Sequence, residues 1–260
     1  MNNTSYQSFL TSISAEAWKR FGIKRRAGVC VPLFSIYSKR SAGIGEFRDL
    51  KLLIDWCKKA HMSIIQLLPL NDTGFHFRPY DAESGFALEP MYLALDEIEG
   101  VHLRHFKSEI EAIRKRFPIP APRVDYGVKV RKLEVLRRMF QNRKKDRPSF
   151  QEHSEANAYW LSDYARFKAI KEKMEGKSWE KWPLELKERN PEALGRFEQD
   201  YANEIQFHKW LQWQLFVQFG KAKAYANRKN VLLMGDFPFL PSRDSADVWS
   251  HPRYFKLDFS

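Results

Sequence analysis

Three short apolar runs, set at very unequal distances, constrain this chain most. Residues 27–34 read AGVCVPLF, residues 63–69 read SIIQLLP, and residues 231–238 open with VLLM. Near-continuous apolar runs of this length suit strands buried on both faces of a parallel sheet. Between the first two, residues 46–60 place Phe47, Leu50, Ile54 and Cys57 at helical spacing with Leu53 beside them. Glu46 near the start and Lys58-Lys59 near the end suit a helix macrodipole. A strand, a helix and a second strand with a short return make the unit of α/β architecture.

The third run is reached only after a long helical stretch. Between residues 100 and 225, Leu133, Leu136 and Phe140 form one apolar stripe. Leu161, Tyr164, Ala165 and Lys168 are spread around a second helix, and residues 205–225 form a strongly aromatic one. Trp210 and Trp213 on that last helix read as core. The expected organisation is a helical lead-in over 1–26, strands one and two with a long loop over 27–99, a helical insertion over 100–225, and a third strand with its loop over 226–260. The loop after the second run carries aromatics, glycines and polar residues from 70 to 90, too many for a simple connector. If the sheet is parallel, this loop and Asp236 both lie at C-terminal strand ends and open onto one face, where α/β barrels build their sites.

Composition excludes several classes. Of the 260 residues, 43% are hydrophobic and 15% aromatic, so the chain is globular rather than disordered. No stretch approaches the roughly 18 apolar residues of a membrane span, and Met1 to Trp18 show no secretory pattern. Cys30 and Cys57, the two cysteines, form no CxxC pair and read as reduced thiols of a cytoplasmic protein. The seven histidines show no HExxH spacing, and there is no GxGxxG, Walker A or GxSxG sequence. No metal site and no nucleotide are therefore expected. The formal net charge is +12. Its concentration in Arg114-Lys115-Arg116, Arg137-Arg138 and Arg143-Lys144-Lys145, interleaved with Glu109, Glu111, Glu134 and Asp146, reads as a solvated helical face. Nucleic-acid binding through it is the weaker reading, since no recognised motif accompanies it.

The candidate site residues are Tyr80, Asp236, Asp244, Asp247 and Trp249. Carboxylates accept hydrogen bonds from sugar hydroxyls, and an aromatic face packs on the apolar side of a pyranose. The structural alternatives are that Asp236 caps a turn and that Asp244-Ser245 starts a helix. Tyr80, in Arg78-Pro-Tyr-Asp81, is either a rigid stacking platform or a loop anchor. His76 has no visible partners and reads as structural or merely exposed.

Four segments carry a family resemblance. They are Ala27-Gly-Val-Cys-Val-Pro-Leu-Phe-Ser with Ala42-Gly-Ile-Gly45; Gln66-Leu-Leu-Pro-Leu-Asn-Asp-Thr-Gly74; Pro79-Tyr80 with Ser84-Gly-Phe-Ala-Leu-Glu-Pro-Met-Tyr92; and Gly235-Asp-Phe-Pro238 with Ser242-Arg-Asp-Ser-Ala-Asp-Val-Trp249 and Phe255-Lys-Leu-Asp258. Together they resemble the 4-α-glucanotransferases, or amylomaltases. The resemblance implies a (β/α)8 barrel with helical insertions, of which this chain holds the first three strands. It implies transfer of α-1,4-glucan segments between maltooligosaccharides by a retaining mechanism with two carboxyl groups, and no cofactor. It makes Tyr80 a stacking residue, puts Asp236 in the pocket, and places Trp249 and its loop over the donor sugar.

No carboxylate here matches the family's nucleophile motif, so no catalytic residue is assigned. The expectation is a chain that ends before the reacting groups. Alone it would be marginally stable and inactive, because the first and third strands would keep unpaired edges. A separate chain carrying the C-terminal half of the barrel is one expected partner. A non-catalytic α-glucan binder is the alternative.

Overall fold

The computed structural model describes residues 8–144 and 147–258. Helix α1 (Ala15–Phe21) leads in and buries none of its residues. Strand β1 (Gly28–Val31) follows, then helix α2 (Leu50–Lys59) and strand β2 (Ile64–Leu67). The helical stretch comprises α3 (Lys107–Arg116), α4 (Gly127–Gln141), α5 (Pro148–Ala156), α6 (Ala158–Lys173), α7 (Leu184–Lys187), α8 (Pro191–Asp200) and α9 (Ala202–Arg228). Strand β3 (Leu232–Met234) and the short helix α10 (Ala246–Ser250) close it.

The strands form one parallel sheet in the order β1-β2-β3, with Cys30 opposite Gln66 and Gln66 opposite Met234. Alternation then decides which residues meet the helices. Ile65 and Leu67 are fully buried in a cluster with Ile54, Cys57, Leu215 and Ala222. On the opposite face Cys30 is exposed and Met234 is 45% exposed. This corrects the expectation of strands buried on both faces. Helices cover one side of the sheet, and β1 and β3 are its edges.

The start of α2 shows how the sequence sets an element. Asp49 accepts from the Glu46 backbone N–H at 2.9 Å while the Glu46 side chain reaches forward, a reciprocal capping box ahead of the apolar run. Phe47, Leu50, Ile54 and Cys57, the predicted face, are all 0% exposed.

Helix α9 is the organising rod. Three of its glutamines, Gln212, Gln214 and Gln218, are buried, and each uses both ends of its amide on one residue of the 88–99 segment. Gln212 bonds the N–H and C=O of Leu88 at 2.8 and 2.9 Å. Gln214 does so with Glu99 and Gln218 with Ala94, all at 2.8–2.9 Å. Irregular backbone is thereby satisfied without a sheet partner, which lets it lie buried beside a helix.

The basic run divides. Arg114, Arg131 and Arg137 bridge to Asp96, Glu134 and Glu172 at 3.1, 2.8 and 2.7 Å, as a helix face with interleaved acids should. Lys129 and Lys132, in the same region, are instead buried, which corrects the reading of that stretch as solvated throughout. Lys145 and Asp146 lie outside the described residues. No helix among the described residues is long and apolar enough to cross a membrane.

Candidate functional site

The site is built where β2 and β3 end. After β2 the chain folds into a lobe bonded to itself. Asp72 N–H donates to Ala87 O at 2.9 Å, Glu83 N–H to Asp72 O at 2.7 Å, and Glu89 N–H to Leu70 O at 2.9 Å. Gly74 turns the lobe at φ +59°, and a Cβ there would lie 2.3 Å from Glu83 Oε1. Only glycine meets both conditions.

A chain of charges pins this lobe to the helices. Lys129 on α4 bridges Asp72 at 3.1 Å and Glu89 at 2.8 Å. Lys168 on α6 bridges Asp72 at 2.8 Å and Glu83 at 2.6 Å, and Lys171 bridges Glu83 at 2.5 Å and Asp244 at 2.7 Å. Tyr164 donates to Asp72 at 2.7 Å. Burial pushes the Asp72 carboxyl up, but Lys129 and Lys168 outweigh it and hold it well below the usual range. Glu89 goes the other way, because its burial outweighs Lys129. Lys132 closes a second buried pair with Glu46 at 2.7 Å, in which burial raises the carboxyl and lowers the amine.

These lysines were visible as interruptions. Lys132 breaks the apolar period of α4 between Val128 and Leu136, and Lys168 sits in the stripe of α6. A cation on an apolar face is the signal of a buried partner. Their partners lie 40 to 96 positions away, where local patterning cannot find them.

Of the five candidate residues, Tyr80 and Asp236 come together. The Tyr80 hydroxyl donates to Asp236 Oδ2 at 2.7 Å across 156 residues. That bond, which needs the phenol proton, raises the Tyr80 pKa. The Tyr80 ring remains 43% exposed, and Phe237, Phe239 and Leu240 beside it are 65–71% exposed. The two strand-end loops thus meet on one face, as the parallel order implied.

Asp247 clamps the lobe from the other loop. It accepts from the Gly85 N–H at 2.6 Å, and its burial raises its carboxyl above the usual range. It borders a cleft of about 310 Å³, together with Phe86, Tyr159, Trp160, His251 and Tyr254. Phe86 stacks on Trp160 with centroids 5.9 Å apart, while Tyr159 and Tyr254 are each 70% exposed.

Asp244 and Trp249 face the helices instead. Asp244 takes Lys171 and the Trp179 N–H at 3.1 Å, and Ser245 caps α10 through the Val248 N–H. Trp249 is 1% exposed. Its ring packs on Phe167 and Trp182 at 6.0 and 5.6 Å, Arg189 covers it, and its N–H donates to Leu186 O at 3.0 Å. It offers no open face, which corrects its expected role over a sugar ring. A Trp in a functional loop also carries the largest apolar surface there, and the nearby helical lobe takes it up. His76 sits exposed in its loop. No cluster of three or more metal-ligating side chains occurs among the described residues.

Fold and site together define an α/β protein with its candidate site at the C-terminal ends of parallel strands. The 4-alpha-glucanotransferase family model matches residues 31–260. Among similar proteins, the 4-alpha-glucanotransferase of Chlamydia pneumoniae is 40% identical over 252 residues, which are 94% of this chain and 47% of that protein. That of Synechocystis sp. is 34% identical over 244 residues, 90% of this chain and 47% of that protein. Among solved structures, amylomaltase from Streptococcus agalactiae in complex with acarbose superposes with a TM-score of 0.77 at 29% identity, over 91% of this chain and 48% of that one. The chain belongs to the 4-alpha-glucanotransferase family, and it spans about half the length of the curated relatives it matches.

Proposed function

We propose that these 260 residues form the glucan-binding N-terminal part of a 4-α-glucanotransferase that moves α-1,4-glucan segments between maltooligosaccharides. The observation that carries this reading is the Tyr80–Asp236 bond at the ends of β2 and β3. It presents a half-exposed ring and a carboxylate side by side, the two groups a pyranose needs for stacking and for its hydroxyls. The aromatic cleft beside Asp247 extends the binding surface. Asp244 and Trp249 serve it indirectly, by anchoring the loop that carries Asp247.

On this reading the chemistry is retaining, and the nucleophile and acid/base come from sequence outside residues 1–260. The uncovered face of Cys30, Gln66 and Met234 and the edges of β1 and β3 fit further strands of a (β/α)8 barrel, supplied by a continuation of the chain or a separate one. Residues 1–260 alone then fold poorly and transfer nothing. The enzyme acts in the cytoplasm on maltodextrin or glycogen, without a cofactor.

The test uses the intact protein. Maltoheptaose affinity and glucose release from maltotriose are measured for wild type, Tyr80→Ala and Asp236→Asn. Both variants should lose about tenfold or more in affinity. Unchanged affinity in both would remove the assignment. Intact affinity with no transfer in wild type would favour a non-catalytic glucan binder.

A further inference from the structure

A second cleft lies at the opposite end of the sheet, where β2 and β3 begin. It encloses about 780 Å³ and is lined by Arg20, Lys24, Arg26, Lys58 and His61, with Asn227 and Asn230 on the far wall. No carboxylate lines it among the described residues. Several cations elsewhere in the molecule are matched: Arg48 and Arg114 meet Asp96, and Lys129, Lys168 and Lys171 alternate with four carboxylates. The nearest acid on α2, Asp55, is already taken by Tyr225 at 2.7 Å and Lys229 at 3.2 Å.

One structural account is that these cations only complement helix ends. Helices α1, α2 and α9 all finish beside the cleft, and each C-terminus is worth about half a negative charge. Three ends therefore offset about one and a half of the four formal positive charges. An excess above two remains in a concave wall, where like charges repel unless an anion joins them. Lys24 also stands beyond the last turn of α1, whereas Arg26 reaches back to donate to the Phe21 carbonyl at the end of that helix.

We propose that this cleft binds a small phosphate ester carrying at least two negative charges. The guanidinium forks of Arg20 and Arg26 and the Lys58 ammonium would take the phosphate oxygens. The Asn227 and Asn230 amides would take the polar body. The site is separate from the Tyr80–Asp236 face and requires nothing of the glucan reading.

The test is isothermal titration of the intact protein at low ionic strength with pyrophosphate, glucose 1-phosphate and adenosine triphosphate. A single-stranded oligonucleotide longer than the cleft serves as competitor. One site per chain is expected for at least one of the three. It should weaken about tenfold or more in Arg20→Gln/Lys58→Gln, with maltoheptaose affinity unchanged. Preference for the triphosphate marks a nucleotide as occupant, and preference for glucose 1-phosphate a sugar phosphate; both support the site. Arg104→Gln removes an exposed charge outside the cleft and should change nothing. Equal weakening by Arg104→Gln overturns the proposal, as does the lack of saturable binding by all three probes. An oligonucleotide that binds more tightly than pyrophosphate and ignores the double variant points to a broad nucleic-acid surface and also overturns it.

Discussion

The two loops that meet at the Tyr80–Asp236 bond are built on opposite principles. The lobe after β2 is held by buried ion pairs: Asp72, Glu83 and Glu89 sit against Lys129, Lys168 and Lys171. The segment just after β3 leaves Phe237, Phe239 and Leu240 largely bare. Further on, the same segment becomes buried again through Asp244, Asp247 and Trp249. A lobe held by charge thus faces an exposed rim, which joins it at Asp236 through Tyr80 and again at Ser242 and Ala246, whose N–H groups donate to the Ala82 and Glu83 carbonyls at 2.9 and 2.8 Å. On the proposed glucan-binding role, a preformed wall lowers the ordering cost of holding a flexible polymer.

The largest expected effect breaks the rigid side. Lys129→Met leaves Asp72 and Glu89 buried without that cation and should cost about 3–5 kcal/mol. Chemical denaturation of the intact protein measures it. A loss below about 1 kcal/mol would show that the lobe does not depend on its ion pairs.

Acid should act on the same side. Glu172 is raised by burial but lowered further by His208 and Arg137, to about 2, and Asp72 is depressed in the same sense. Carboxylates with lowered folded pKa values stabilise above their unfolded value near 4.5 and lose that stabilisation as pH falls toward 2. Glu46 and Glu89, both raised, have the opposite sign, because protonation relieves them of a buried charge. Thermal melting from pH 6 downward should therefore hold until about pH 4.5 and then fall. A Glu172→Gln variant should fall less steeply there.

A smaller effect sharpens the boundary between rim and anchor. Trp249→Phe keeps an aromatic in the cluster with Phe167 and Trp182, so it should cost roughly 1–2 kcal/mol of stability. Glucan affinity should stay within about twofold; a tenfold loss would mean that the ring meets the sugar after all.

The smallest effects belong to the contact between the two loops. Phe239→Ala should change stability by no more than about 0.5 kcal/mol, and Tyr80→Phe, which removes one solvent-exposed hydrogen bond, should shift the melting point only slightly. Both should weaken maltoheptaose binding more than they shift the melting point. A larger change in melting than in binding would make the rim structural.

Much of this was legible along the chain, and the failures have physical causes. The buried face of α2 follows from a 3.6 period and one capping box, both local, and each of its predicted residues is buried. That the loops carrying Tyr80 and Asp236 open onto one face followed from the parallel order, while their hydrogen bond did not. The burial of β1 was overestimated because an apolar run reports capacity for burial, while coverage depends on which neighbours exist. Trp249 was misplaced because an aromatic ring in a polar loop fits a ligand or a core equally well, and the helical lobe behind it decided.

Chain order and local pattern set the α/β succession, the helical stretch and the strand-end position of the candidate residues. Periodicity, capping and chain order act within a few residues, so they are readable there. Contacts between distant segments were needed to bury Lys129 and largely bury Lys168, to pack Trp249 as an anchor and to bring four cations together without a carboxylate. Charge partners and packing neighbours are set by contacts between segments far apart in the chain, and their energy depends on burial that no local pattern records.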